Sequence, residues 1–393
     1  MTALRHQDPQ SSHPRVRRGA RVPDAPKVSI IVLVTTRTDR LQRCLASVAT
    51  GAKDGPVAEV LVLANGTPPA ALTAVAARKN IVLIRSAVNH GFGGGCNWAA
   101  RFARGARLVF INDDAVATSG WLAALDRAMD DDPRTGVVGG RVLLRDGRLQ
   151  EAGNVVWRDG STSHLGRALP ADEPELLARR DVDYVSFCSA MIRREAWDQA
   201  GGFDERYFPA YYEDADLCLS VRALGWRVVC EPASVVIHDE GGSTPVHLRH
   251  FLSRRNQQRF VAKWGTTLAS LPERPSPTDA RAVMAAAARH HPGGADAQRP
   301  PRPRGRAATA PLSATEVAEV DALLIELRHS QEDVILKDEY IAALVAELDG
   351  NGAISLARKR YLAIRHGIGL RVRRHSRLSR FTDSVMARTR RRR

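Results

Sequence analysis

No stretch of this 393-residue chain reaches the ~18 consecutive apolar residues that a membrane-spanning helix needs, so no transmembrane segment is expected. The first residues hold Arg and Pro and lack an apolar run, which predicts no secretory signal. Cysteine is sparse: Cys44, Cys96, Cys188, Cys218 and Cys230 are scattered, odd in number and never spaced as C-x-x-C. That argues against a zinc site or a disulfide framework and fits a reducing, cytosolic setting. Two nucleotide-binding signatures, G-x-x-x-x-G-K-[ST] and G-x-G-x-x-G, are also absent. What remains is a chain with 44% hydrophobic residues, enough to build a large buried core.

The net charge of +15 is unevenly placed. Residues 1–27 contribute six Lys/Arg and two Asp, or +4, and residues 353–393 contribute fourteen Lys/Arg and one Asp, or +13. The remaining 28–352 carry 15 − 4 − 13 = −2. The high pI therefore describes two tails, not a site. Basic tails favour anionic membranes or nucleic acid.

Residues 1–27, with Pro9, Pro14, Pro23 and Pro26, read as a disordered basic arm. The run Val28-Ser29-Ile30-Ile31-Val32-Leu33-Val34 suits a strand buried on both faces, the mark of a parallel sheet. An amphipathic helix over 39–48 follows, then a strand over 59–63 that ends at the turn Ala64-Asn65-Gly66-Thr67-Pro68-Pro69. A further helix and strand, 70–77 and 81–84, and the strand 107–111 complete an alternating pattern. Such alternation implies βαβ units in a doubly wound sheet, whose ligands gather at the carboxyl ends of the strands. The second half predicts strands over 137–144, 154–157 and 184–192, a helix over 212–224 closed by Gly225, and short strands over 226–230 and 234–237. Residues 271–312 form a Pro/Arg/Ala-rich linker, interrupted by a short Ala-rich helix over 279–289. Residues 313–352 open on the capping box Ser313-Ala314-Thr315-Glu316 and repeat apolar positions every 3.5 residues. Two readings fit: a coiled coil that forms a homodimer seam, or one amphipathic helix folded back on the core. From 353 onward, Ile354, Tyr361, Ile364 and Ile368 share a face among arginines, a basic amphipathic pattern that reads as membrane-surface.

Four polar constellations could carry chemistry. Asn112-Asp113-Asp114 follows a buried strand, where carboxylates either hold a divalent cation against phosphate or cap the helix beginning near Trp121. Tyr211-Tyr212-Glu213-Asp214-Ala215-Asp216 crowds three carboxylates at a helix start, more than a first turn needs. One of them could be a general base for a hydroxyl nucleophile. His238 ends a strand before Gly241-Gly242 and could ligate a metal. Asn89-His90-Gly91-Phe92-Gly93-Gly94-Gly95-Cys96-Asn97 reads as a glycine-rich loop opening a helix, suited to phosphate or simply to a turn.

Taken in order, these pieces resemble family 2 glycosyltransferases of the GT-A fold, in the rhamnosyltransferase-like and galactofuranosyltransferase-like branch. The matching stretches are 28–34 with 41–45, 89–97, 110–114, 201–205, 212–217 and 237–243, together spanning roughly 60% of the chain. The resemblance implies an α/β domain over 28–270 with a Rossmann-like, mixed central sheet. It implies inverting transfer from a nucleotide-diphosphate sugar to a hydroxyl acceptor, such as a lipid-linked glycan in cell-wall or exopolysaccharide synthesis. A divalent metal, Mg²⁺ or Mn²⁺, would be held by Asp114, His238 and Asn112. Asp214 matches the general base, with Glu213 and Asp216 positioning the acceptor or base. Donor contacts are expected from Thr35, Thr36, Arg37, Asn65, Gly66, Asn89, Gly91, Phe92, Gly93, Asn97, Asn112 and Asp113.

The sequence departs from the family pattern at Ala64, where an Asp usually reads the nucleobase, and at Thr35-Thr36-Arg37, where a Tyr-Asn-Arg-like turn is usual. Asn65 or Thr36 would then supply the base contacts. Rival readings are a nucleotidyltransferase and a non-catalytic scaffold on the same fold. Specific nucleic-acid binding is not expected, because the basic tail lacks an aromatic stacking surface. The expected setting is the cytoplasm, peripheral to the inner face of the cell membrane.

Overall fold

The computed structural model describes residues 15–290, except Thr36, Ala87, residues 240–245 and Pro277. All of these belong to the first of two units, Met1–Thr309; the second is Ala310–Arg393. The arm before Arg15, the long helix expected over 313–352 and the basic tail lie outside the described residues.

In chain order the first half holds β1 (Arg15–Arg18), β2 (Val28–Val34), α1 (Thr38–Gly51), β3 (Ala58–Asn65), α2 (Thr73–Ala76), β4 (Ile81–Ser86), α3 (Gly91–Ala100), β5 (Arg107–Asn112), β6 (Ala115–Ala117) and α4 (Trp121–Asp131). The second half holds β7 (Thr135–Leu143), β8 (Leu149–Glu151), β9 (Asn154–Val156), β10 (Thr162–His164), β11 (Arg180–Asp181), β12 (Ser189–Arg193), α5 (Arg194–Ala200), α6 (Glu213–Ala223), β13 (Arg227–His238), α7 (Val246–Leu268) and α8 (Ala280–His290). The main sheet runs β1-β4-β3-β2-β5-β12-β7-β13-β11, with β6 and β8 attached to β13 and β7; β9 and β10 form a separate ribbon.

β2 pairs in parallel with both β3 and β5, so its apolar run is covered on each face. Ile30, Val32 and Val34 pack with Leu41, Leu45 and Val48 of α1 on one side. Ile31 turns to the opposite layer with Leu61, Phe110 and Phe203. The sheet is mixed: β12 is antiparallel to both β5 and β7, while β13 runs parallel to β7. The carboxyl ends of β2, β3, β4 and β5 therefore open on one edge, and the second half of the chain closes over it.

The structure corrects several expectations. Arg15–Arg18 is an edge strand antiparallel to β4, not part of a disordered arm. Its Arg18 donates to buried Glu59 at 2.8 Å, a partner 41 residues away that composition cannot reveal. The strand expected over 184–192 begins only at Ser189, because Tyr184 is drawn aside into a bridge with Asn154. The two strands expected over 226–237 are one, β13, with a register break between Cys230 and Val235. Gly93, Gly94 and Gly95 lie inside α3 and not in a loop. A Cβ on Gly95 would stand 2.6 Å from Leu33 Cδ2, and one on Gly93 3.0 Å from the Phe203 side chain. The glycines permit close approach of α3 to β2 and to the Phe203 turn. All five cysteines are buried and free. Among the described residues no helix is long and apolar enough to cross a membrane.

Candidate active site

The strand ends frame a cavity of about 600 Å³. One wall carries Leu33, Thr35, Asn65, Asn89, Gly91 and Phe92; the floor carries Asn112, Asp113, Asp114 and His238. The far wall carries Gln150, Glu151, Thr162, His164, Tyr184, Ser186 and Asp214. Volumes of this size are typical of small-molecule sites.

On the floor, β6 pairs with β13 in a register that sets Ala115 opposite His238. Asp114 is thereby brought to His238, whose Nε2 lies 3.2 Å from Asp114 Oδ1. The Asn112 amide is 3.5 Å from the same nitrogen. His238 Nδ1 lies 3.0 Å from Gln150 Oε1, which can only accept, so Nδ1 carries a proton and Nε2 is the ring nitrogen that faces Asp114. Arg40, from α1, reaches Asp114 Oδ2 at 3.3 Å from behind. Burial, and then the charge of Asp114, push Asp113 up to about 7. This donor set suits a hard divalent cation: a carboxylate, an imidazole with its tautomer fixed, and an amide, beside a second carboxylate that resists ionising. Among the described residues no group of three or more His, Cys, Asp and Glu side chains forms a cage. The remaining ligands would have to be phosphate oxygens and water, as is usual for Mg²⁺ with phosphate substrates.

Asp214 sits at the start of α6. Its Oδ2 accepts from Phe187 N–H at 3.1 Å, while Oδ1 is screened from solvent and has no hydrogen-bond partner among the described residues. Burial raises its carboxyl to about 7; the Phe187 N–H opposes this, and the nearby charge of Glu151 adds to it. Glu213, beside it, is buried, with Oε2 unpartnered, and is pushed well above the ordinary range by burial and by Asp214. Tyr211 and Tyr212 before them adopt left-handed backbone, φ 79° and 75°. Asn256 of α7, fully buried, holds that loop by donating to the carbonyls of Tyr207, Ala210 and Tyr211, each at 2.9 Å. This fixes where Asp214 points.

Not every expected residue reaches the cavity. Thr35, Asn89, Gly91, Phe92, Asn112, Asp113, Asp114, Glu213, Asp214 and His238 line it. Asp216 does not: it is 2% exposed and receives Lys263 at 2.7 Å, Trp264 Nε1 at 2.8 Å and Tyr207 Oη at 3.0 Å, so it anchors α6 to α7. Asn97 is spent on the Phe203 turn, donating to its carbonyl and accepting from its N–H at 2.9 Å each. Arg37 is exposed and paired with Asp39. Gly93 is packed under Phe203, and Gly66, φ 75°, makes the turn after β3. Asn65 borders the cavity, but its amide donates to Asn89 Oδ1 and Gly91 O and accepts from His90 N–H. It ties the β3 turn to α3 and has no donor left for a nucleobase. Thr36 lies outside the described residues.

Apart from Asp214, sequence reasoning missed the far wall. Glu151 is 2% exposed, 3.0 Å from His164 Nδ1, and accepts weakly from Ser186 N–H at 3.3 Å. Arg249 and Ser253 of α7 also border the cavity. The one available signal was polar residues inside the short strands around 150 and 162, at positions otherwise expected to be apolar.

Comparison with known proteins agrees with this geometry. Residues 29–200 match the family model described as Glycosyl transferase family 2. Among curated relatives, the O-antigen biosynthesis protein RfbC of Myxococcus xanthus is 33% identical over 226 residues, 56% of this chain and 18% of that protein. The N-acetylglucosaminyl-diphospho-decaprenol L-rhamnosyltransferase of Mycobacterium tuberculosis is 28% identical over 257 residues, 59% of this chain and 82% of the relative. The chain thus spans less than a fifth of RfbC but most of the rhamnosyltransferase. A crystal structure of GalNAc-T7 with UDP, GalNAc and Mn²⁺ shares the fold, with a TM-score of 0.50 and 15% identity, over 61% of this chain and 48% of that one. An Asp/His pair on the floor, a carboxylate facing it, and a mixed sheet whose strand ends meet at both are carried here by a chain whose residues 29–200 match glycosyl transferase family 2 and whose curated relatives include a rhamnosyltransferase.

Proposed function

We propose that this protein transfers a sugar from a nucleotide-diphosphate donor to a hydroxyl acceptor, with inversion at the anomeric carbon. The observation that carries the reading is Asp214: a carboxylate lining the same cavity as Asp114 and His238. The Asp214 carboxylate takes the proton of the acceptor hydroxyl as the hydroxyl oxygen attacks the anomeric carbon from the face opposite the diphosphate. One displacement inverts the centre, so no carboxylate nucleophile is needed. A midpoint of about 7 leaves Asp214 basic enough to accept that proton and still ionised in a useful fraction. Asp114 and His238 would hold a divalent ion, which when bound offsets charge on the departing diphosphate. Gln150 keeps His238 in the tautomer that such binding requires.

The acceptor is inferred to be a lipid-linked glycan of the cell envelope, by analogy with the relative whose name is a transferase onto N-acetylglucosaminyl-diphospho-decaprenol. Work at the inner membrane face, through the basic stretch 353–393, belongs to the same reading. The test is a panel of nucleotide-sugars incubated with the full chain and Mn²⁺ or Mg²⁺. Release of nucleoside diphosphate that disappears in Asp214→Asn supports the proposal. Release of pyrophosphate from a nucleoside triphosphate would instead establish a nucleotidyltransferase.

A further inference from the structure

The cavity is strongly acidic. Asp113, Asp114, Glu151, Glu213 and Asp214 all line it. A diphosphate entering such a site meets like charge from whichever of these carboxylates are ionised, and a cation beyond the floor residues would offset it. Among the described lining residues one side chain is Lys or Arg: Arg249. Other cations near the site are already committed. Arg40 faces Asp114 at 3.3 Å and Asp239 at 3.7 Å, and Lys263 faces Asp204 at 3.2 Å and Asp216 at 2.7 Å. Arg249 makes no hydrogen bond or ion pair with the described residues. A guanidinium that lines the cavity and pairs with none of its carboxylates among the described residues is a group whose partner arrives with the ligand.

The placement of Arg249 is rigid for reasons visible in α7. Residues 249, 253, 256, 260 and 264 recur at helical spacing on one face. Arg249 and Ser253 border the cavity, Asn256 is the buried amide holding the Tyr207–Tyr211 carbonyls, and Phe260 and Trp264 are core residues at 0% and 1% exposure. The helix is bolted to the core at one end and presents its cation to the cavity at the other. It is also the next element after the strand that supplies His238, so Arg249 and His238 stand on consecutive elements.

We propose that Arg249 grips the diphosphate of the donor, a fixed cation acting alongside the floor residues. This rests on the reading of the cavity as a nucleotide-diphosphate site. The guanidinium matches phosphate oxygens in a planar, bidentate fashion that an ammonium cannot reproduce. The same helix holds the loop that precedes Asp214, so donor grip and base placement share one support.

The experiment is binding to the full chain by calorimetry, with Mn²⁺ present. UDP, dTDP and GDP are compared with their matching nucleosides, for wild type, Arg249→Ala and Arg249→Lys. Since Arg249 has no hydrogen-bond or ion-pair partner among the described residues, Arg249→Ala should melt at the wild-type temperature, which controls for misfolding. Its affinity for the preferred nucleoside diphosphate should fall roughly ten- to a hundredfold, while affinity for the nucleoside stays unchanged. Arg249→Lys should recover only part of the loss. Equal diphosphate affinities in wild type and Arg249→Ala would overturn the role of Arg249 alone. Failure of the wild-type chain to bind any nucleoside diphosphate would overturn the donor reading and this assignment with it.

Discussion

The midpoint of Asp214 makes a quantitative demand on the pH dependence of the reaction. An ordinary aspartate is more than about 99% ionised from pH 6 to pH 8, and a base of that kind gives a flat profile. With a midpoint of about 7, Asp214 is about one-tenth ionised at pH 6 and about nine-tenths at pH 8, so kcat/KM should rise about tenfold across that interval. The assay is the initial rate of nucleoside diphosphate release at fixed, saturating metal. Asp113 also sits at about 7, from burial and the charge of Asp114, so the limb must be assigned and not merely observed. Glu151→Gln removes a negative charge that raises Asp214, and should move the limb to lower pH. Asp113→Asn should leave the limb in place. A flat profile, or a limb that vanishes in Asp113→Asn and ignores Glu151→Gln, would refute the assignment of the base. The same shift has a stability consequence of opposite sense. The folded midpoint lies above the unfolded one, so the stabilising contribution is complete below about pH 4 and is lost as pH rises through about 7. Asp214→Asn should therefore raise the melting temperature more at pH 8 than at pH 5.

Other perturbations test the supports around the site. Gln150→Leu removes the acceptor of His238 Nδ1–H and should weaken Mn²⁺ binding roughly ten- to a hundredfold, read as a smaller metal-induced rise in melting temperature. Lys263→Met leaves Asp216 buried without its cation and should cost about 3–5 kcal/mol in denaturant unfolding. Gly95→Ala drives a methyl to 2.6 Å from Leu33 and should cost about 1–3 kcal/mol by overpacking, whereas an alanine at Gly120, whose Cβ would meet no atom within 4 Å, should cost about 1–2 kcal/mol through its φ of 73° alone.

Much of the parallel half of the fold was legible because its signal is local. Val28–Val34 is apolar throughout, as a strand covered on both faces must be, and its position was read to the residue. The polar residues that end β5 and begin α6 were legible too, because a carboxylate at a buried strand end or a crowded helix start has no packing reason to be there. Asp216 shows the limit. In sequence it is one of three acidic residues in four; in the fold it points away from Asp214 and into Lys263 and Trp264, since neighbours two apart on a helix face different directions. Asn65 and Asn97 show the limit in another way. Their amides are consumed by backbone groups 25 and 106 residues away, and no spacing rule reports that.

By itself, the sequence determined the alternation of strands and helices, the strand ends at which chemistry would gather, and the residue types able to carry it, because periodicity and chain-local polarity encode these. Only the tertiary structure decided which of those residues meet. It placed His238 on Asp114 through the pairing of β6 with β13, set Gln150 behind His238, and closed the far wall with Glu151 and His164. It also swung α7 across the opening, bringing Arg249 to the cavity and Asn256 to the loop before Asp214. Each of these contacts joins segments far apart in the chain, and register and packing, not composition, determine which atoms come within reach.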